Sequence, residues 1–387
     1  MARRCKETRK RPQIPISMIY LSVAVSLMLR NSSFLEMDRT ARQPWYRRFL
    51  GSSRGMVVSD STVLRELARM EAPGVREDLY QTFLRWKEQG GALYTLPSGR
   101  KIRLGAVDGT QWGNRYASCL QVITDHGDFL LDLELTKTHG NEREGTLKVT
   151  DRCAGRFGDG VLDVIVGDGL YPCGPIFTGL RNHGFNAVVK MKAEERDRLL
   201  VTRRAWDRVL HKDPSVEVIT GTDPARRVLY RIEVIDGVKT DHYDDLLKVV
   251  HVMEEPIPNE ECSDGESSRA PEPEKEFWVA SMDRSLAGLD IREIAHLRWT
   301  IETPGFKMLN EHMHSKRVWT RGKDGERAFE VLALLMFLAF NLIKAFRESL
   351  GADEIRRWVG RTVIPLAGVV SVLIMTLCAS TISLVVN

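Results

Sequence analysis

Cysteine is scarce in this chain: six residues in 387, at Cys5, Cys119, Cys153, Cys173, Cys262 and Cys378. They form no CxxC pair, which argues against a zinc ribbon and a disulfide-stapled scaffold and suits a reducing compartment. A strong net charge is also missing. Lys and Arg number 56 against 52 Asp and Glu, leaving +4 at pH 7, so any surface for a polyanion has to come from local clustering. Histidine pairs with metal-ligand spacing are lacking too. His312 and His314 stand at i and i+2, where a helix does not bring them to one face. The apolar run Ile14 to Leu29 lacks a small-residue cleavage site and is interrupted by Ser17, Tyr20, Ser22 and Ser26. It reads as a buried helix rather than a signal peptide.

The first hundred residues are helical and basic in pattern. Six basic residues and one glutamate precede Pro12, and two readings stand for this arm: a solvated end, or a contact to nucleic acid. RTARQPWYRRFLGSSRG sets aromatics among arginines, making Arg47 and Arg48 candidates for phosphate or base contacts. Ser59 to Thr62 is a helix-start signal, Pro73-Gly74 a break, and DLYQTFLRWKEQGG a second helix. A helix-turn-helix and a helical bundle both fit that spacing.

At Lys101 the period changes. IRLGAVD, then two strands across the His126-Gly127 turn, a helix from about Glu142, and VLDVIVGD give the order expected for a mixed sheet covered by helices, an α+β or α/β fold. Asp108 and Asp168 each end an apolar run beside a glycine that lets the backbone turn sharply. Residues 101–190 make the first part of this core. Residues 191–276 read as a β-rich insertion, from VLYRIEVID and LLKVVHVMEE. Its end, residues 254–276, holds nine acidic and two basic residues and reads as an exposed loop. Residues 277–350 return to the core with FWVASM, IREIAHLRWTIE and the buried helix VLALLMFLAFNLIKAF. In the tail, residues 351–387, the stretch 363–386 has no charged residue and meets the length rule for a membrane helix, so membrane association and a packed apolar tail both remain open.

In RWTIETPGFKMLNEHMHSK, Arg298 and Glu302 are spaced i, i+4 and can share a helix face. Trp299 is a supporting candidate, either stacking on a displaced base or filling the core. Lys316 and Arg317 are candidates for phosphate contacts. Three carboxylates, Asp108, Asp168 and Glu302, could then converge on divalent metal. Hard oxygen donors suit Mg²⁺ or Mn²⁺, and two such ions about 3.5–4 Å apart can serve both oxygens of a phosphodiester displacement.

Through the VDGT context, VIVGDGLY with Pro175 beyond it, and RWTIETPGFKMLNEH, residues 15–350 resemble insertion-sequence transposases with an RNase H-like core, an Asp-Asp-Glu triad and a β-strand insertion before the glutamate. THGNE at 138–142 also resembles a segment of that family. The resemblance implies a DNA transposase in which Asp108 bridges two Mg²⁺ ions while Asp168 and Glu302 each hold one. It further implies hydrolysis at the element's ends, 3′-hydroxyl strand transfer into target DNA, a homodimer in the DNA complex, and a cytoplasmic, nucleoid-associated location. In relatives with that insertion a tyrosine, an arginine, the glutamate and a lysine recur. Arg298 and Glu302 match, whereas the tyrosine falls at Ala295 and the lysine at Leu309, with Lys307 two residues earlier. A metal-dependent nuclease without strand transfer would use the same acids, and a noncatalytic DNA-binding remnant would keep the basic surface.

Overall fold

Alternation of small, β-branched and aliphatic residues after Lys101 builds the sheet on which the rest is hung. The computed structural model describes residues 7, 9–49, 57–88, 90–113, 115–136, 138–169, 171–191, 201–240, 243–257, 275–320 and 323–349. Helices come first: α1 (Ile16–Met28), α2 (Phe34–Ala41), α3 (Pro44–Phe49), α4 (Asp60–Arg69) and α5 (Ala72–Glu88). The strands β1 (Tyr94–Thr95), β2 (Lys101–Ile102), β3 (Leu104–Trp112), β4 (Arg115–Thr124) and β5 (Gly127–Thr136) follow, then α6 (Glu142–Phe157), β6 (Val164–Gly167), α7 (Gly174–Asn182) and β7 (Asn186–Met191). Next come α8 (Val201–Leu210), β8 (Glu217–Asp223), β9 (Val228–Val238), β10 (Leu247–Pro256) and β11 (Lys275–Ser281). The described chain ends with α9 (Gly288–Leu297), a π-helical turn (Ile301–Lys307), α10 (Met308–Met313) and α11 (Lys323–Ser349).

β3, β4 and β5 form an antiparallel meander, and β6 and β7 add to β3 in parallel. The order β5-β4-β3-β6-β7 is the RNase H-like mixed sheet expected from the sequence. The sheet does not stop there: β11 pairs with β7 and carries β10, β9 and β8 with it, giving nine strands in the order β5-β4-β3-β6-β7-β11-β10-β9-β8. The strands expected between residues 191 and 276 therefore extend the core sheet, because the outer side of β7 offers unpaired backbone that β11 satisfies. Helix α8 lies in the same segment and was not anticipated. The acidic stretch is divided. Glu254–Pro256 belongs to β10 and Lys275–Glu276 to β11, while residues 258–274 lie outside the described residues. Glu254 is buried, not part of an exposed loop, because Arg292 and His296 on α9 bond its carboxylate at 2.7 Å.

α11 is the central rod of the helical side. Leu332, Leu334, Leu335 and Phe337 are fully buried, and α1, α4, α5 and β5 pack on it. Its segment Gly325–Ala345 is long and apolar enough to cross a membrane, yet 72% of its apolar window lies inside the protein, so it is a core helix. α1 is buried as the sequence suggests, with Ile19, Tyr20 and Leu27 enclosed. In the helix-turn-helix candidate, Val63 and Leu67 of α4 and Val75, Leu79 and Phe83 of α5 are buried. Both helices spend their apolar faces on the scaffold. A charged brace fixes the join. Asp132 on β5, wholly buried, accepts from Arg76 Nε at 2.8 Å, Tyr80 Oη at 2.7 Å and Arg152 Nε at 3.0 Å. The apolar stretch 363–386 lies outside the described residues.

Candidate active site

Register places the two aspartates side by side. β3 and β6 run parallel with Ala106 opposite Val166, and two residues further along each chain stand Asp108 and Asp168. In-register residues on parallel neighbours face the same side of a sheet. Asp108 is 8% exposed and its Oδ1 accepts from the Gly109 amide at 2.8 Å. Gly109 lets Glu142, the first residue of α6, come close: a Cβ would stand 2.2 Å from its carboxyl carbon, so that side chain would have to shift. Asp168 begins a turn in which its carbonyl accepts from Tyr171 N at 3.1 Å.

Glu302 reaches this pair from a distorted helix. α9 is fixed to the sheet by Arg292, which bonds Glu254 at 2.7 Å and Asp223 at 3.0 Å. Beyond Arg298 the chain widens into the π turn Ile301–Lys307. Pro304, inside that turn, cannot donate a backbone hydrogen bond, and one-turn π segments recur at functional sites. Gly305 allows close approach to the sheet, since a Cβ there would sit 2.8 Å from Gln121 Oε1 on β4. Arg298 Nη1 donates to Glu302 Oε1 at 2.8 Å and lies 4.0 Å from Asp108 Oδ2. Arg298 is 7% exposed, and its buried Nε has no partner among the described residues.

The electrostatics tie the acids together. Burial, then the charges of Asp168 and Glu302, push the Asp108 carboxyl up to about 7, against the pull of Arg298 and the Gly109 amide. Among the described residues no three His, Cys, Asp or Glu side chains are close enough to hold a metal ion as they stand. The donor set nevertheless suits a hard divalent cation: the charges of two carboxylates bear on a third, Asp108, while Arg298 supplies compensating charge. In chemical terms the residues fit Mg²⁺ or Mn²⁺.

An open groove of about 790 Å³ runs from Glu302 along Gly109, Thr110 and Gln111 to Lys307, Asn310 and Lys316. Lys307 and Lys316 thus lie beside the acids. Arg317 does not line this groove, because its Nη1 bonds Ser32 O at 3.1 Å and Ser32 Oγ at 3.0 Å. Trp299 is 50% exposed with the Arg298 guanidinium 4.3 Å from its ring, so the core-filling alternative is corrected. Arg47 is partly buried on α3, away from the groove lining, and the Arg48 side chain lies outside the described residues. Ala295 and Leu309, where the family's tyrosine and lysine fall, are both buried.

Lys190 escaped the sequence reading. β6 and β7 pair in parallel with Gly167 opposite Val189, so the next residues, Asp168 and Lys190, are neighbours in turn. Burial, with Arg298 next in effect, lowers the Lys190 pKa from its ordinary value. A charged residue in the apolar run FNAVVKM was the available signal.

Residues 82–342 match the family described as Transposase DDE domain. Among solved structures the chain is similar to the piggyBac transposase in its synaptic complex with hairpin DNA. Identity is 10% and the TM-score 0.41, with 97% of this chain and 74% of that one covered. No curated protein matches the chain in sequence.

Proposed function

Since the chain belongs to the Transposase DDE domain family, we propose that it is a DNA transposase that hydrolyses a phosphodiester at each end of its element and joins the freed 3′-hydroxyl to target DNA. The observation that supports this reading best is the strand register that sets Asp168 beside Asp108, with the charges of Asp168 and Glu302 both raising the Asp108 pKa. Mg²⁺ or Mn²⁺ held by these three residues would supply activation of the attacking oxygen and charge stabilisation of the leaving 3′-oxygen.

The remaining steps belong to the chain's own groups. Arg298 holds Glu302 toward Asp108 and is the nearest cation to a phosphate entering between them. Lys307 and Lys316 line the groove, where ammonium groups would hold the backbone on one flank of the cut without reading sequence. Trp299 offers an exposed ring face on which a displaced base would stack. Two ends must be held for a paired reaction, which calls for two copies of the chain on DNA, and a DNA substrate places the work at the nucleoid.

Cleavage and joining assays on the element's own ends test the proposal. Alanine at Asp108, Asp168 or Glu302 should abolish both steps and leave most DNA binding, because phosphate contacts and metal chemistry use different groups. Normal joining by Glu302→Ala would overturn the triad. Cleavage without joining by wild type would make the protein a nuclease, and no metal-dependent chemistry would leave a DNA-binding remnant.

A further inference from the structure

Asp108 on β3, Asp168 just past the end of β6 and Lys190 on β7 follow one another in a row set by the pairs Ala106 with Val166 and Gly167 with Val189. Each step of the row is one strand spacing, about 4.8 Å. Side chains in register face the same side, so Lys190 rises on the face that carries the acids. It stands beyond Asp168, on the side of the sheet away from β4. The groove with Lys307 and Lys316 borders the other side, along the end of β3.

Lys190 is poorly accounted for as a structural residue. Its ammonium lies 4.1 Å from the centre of the Phe277 ring and makes no hydrogen bond or ion pair with a described residue. The charges that act on it are Arg298, Lys275 and Glu254, and Glu254 is already taken by Arg292 and His296. Two cations, Lys190 and Arg298, therefore share a partly buried corner, with Arg298 reaching within 4.0 Å of Asp108 Oδ2, and a lysine kept there while the acid that acts on it is engaged elsewhere costs stability. An anion in that corner relieves both.

We propose that Lys190 binds a backbone phosphate of the DNA substrate on the Asp168 side of the cut, so that the strand is gripped from both flanks of the acidic row. This rests on the transposase reading and adds to it a contact that the triad does not require. The phosphate's nonbridging oxygens accept from the ammonium while the butyl stem stays against Phe277.

The test is binding of a fluorescein-labelled duplex of mixed sequence, followed by anisotropy over a salt series in EDTA so that metal loading plays no part. Lys190→Met keeps the stem, and Lys190→Arg keeps the charge. Each phosphate contact contributes about 0.9 to the slope of log affinity against log salt. Lys190→Met should therefore lower the slope by about that amount, Lys190→Arg should retain the wild-type slope, and Lys190→Met should melt no lower than wild type. An unchanged slope in a folded Lys190→Met protein would overturn the assignment while leaving the transposase reading intact. Absence of salt-dependent binding by wild type would overturn both.

Discussion

Replacing Asp108 with asparagine should make the metal-free protein more stable, and by an amount that depends on pH. The ordinary carboxyl value of 3.8 is raised to about 7 by burial and by the facing charges of Asp168 and Glu302. Below the lower value both folded and unfolded chains carry the proton, and the site imposes no penalty. Between the two values the unfolded chain releases its proton while the folded chain keeps it, so stability falls as pH rises. Above the higher value the full penalty remains, about 4 kcal/mol at ~1.36 kcal/mol per pKa unit. Asp108→Asn removes the ionisable group and keeps nearly the same volume. Urea unfolding in EDTA should show the two proteins close together near pH 4 and the variant ahead by about 4 kcal/mol at pH 8. Adding Mg²⁺ should then raise the wild-type midpoint and leave that of the variant almost unmoved, by mass action on the folded state. A variant no more stable than wild type at pH 8 in EDTA would refute the argument that burial and the facing acids together hold the Asp108 carboxyl above its ordinary value.

Other substitutions separate scaffold from site. Asp132→Ala strips the shared partner from Arg76, Tyr80 and Arg152 and should cost about 3–5 kcal/mol in denaturant unfolding, as expected when a buried ion network loses its anion. Gly109→Ala drives a methyl into the Glu142 carboxyl; it should cost about 1–3 kcal/mol, and less in a Glu142→Ala background, a coupling that a double-mutant cycle reads directly. Lys316→Ala should lower the salt slope of duplex binding by about 0.9, whereas Arg317→Ala should leave it near wild type, because that guanidinium is engaged with Ser32.

Much of the core was legible because its signals are local. The runs leading to Asp108 and Asp168 are short and apolar, and a parallel sheet writes such runs plainly, although at Asp108 the strand runs on through Gly109 to Trp112 where the sequence suggested a sharp turn. Glu302 was legible from its sequence context and its spacing from Arg298. What escaped depends on contacts between segments distant in sequence. Lys190 gains its meaning from strand register, which places it beside Asp168 although 22 positions separate them. Arg317 sits in the same basic cluster as Lys316 and cannot be told from it by sequence, yet Ser32, far earlier in the chain, claims it. The continuity of the sheet was hidden for a similar reason. β11 finds β7 across more than eighty positions, and nothing in FWVASM names its neighbour.

The widened turn at Ile301–Lys307 changes how a spacing rule applies to this chain. In a regular α-helix seven residues return to nearly the starting direction, drifting by only about 20°, so a lysine seven places after a glutamate shares its outlook. Here the intervening backbone follows an i to i+5 ladder, which takes more residues per turn than an α-helix, so seven residues fall short of two turns while five come round to about one. Lys307 opens on the groove with Glu302, while Leu309 is fully enclosed. A signature written as a fixed interval finds Leu309 at that place, while the nearest lysine that lines the groove with Glu302 is Lys307.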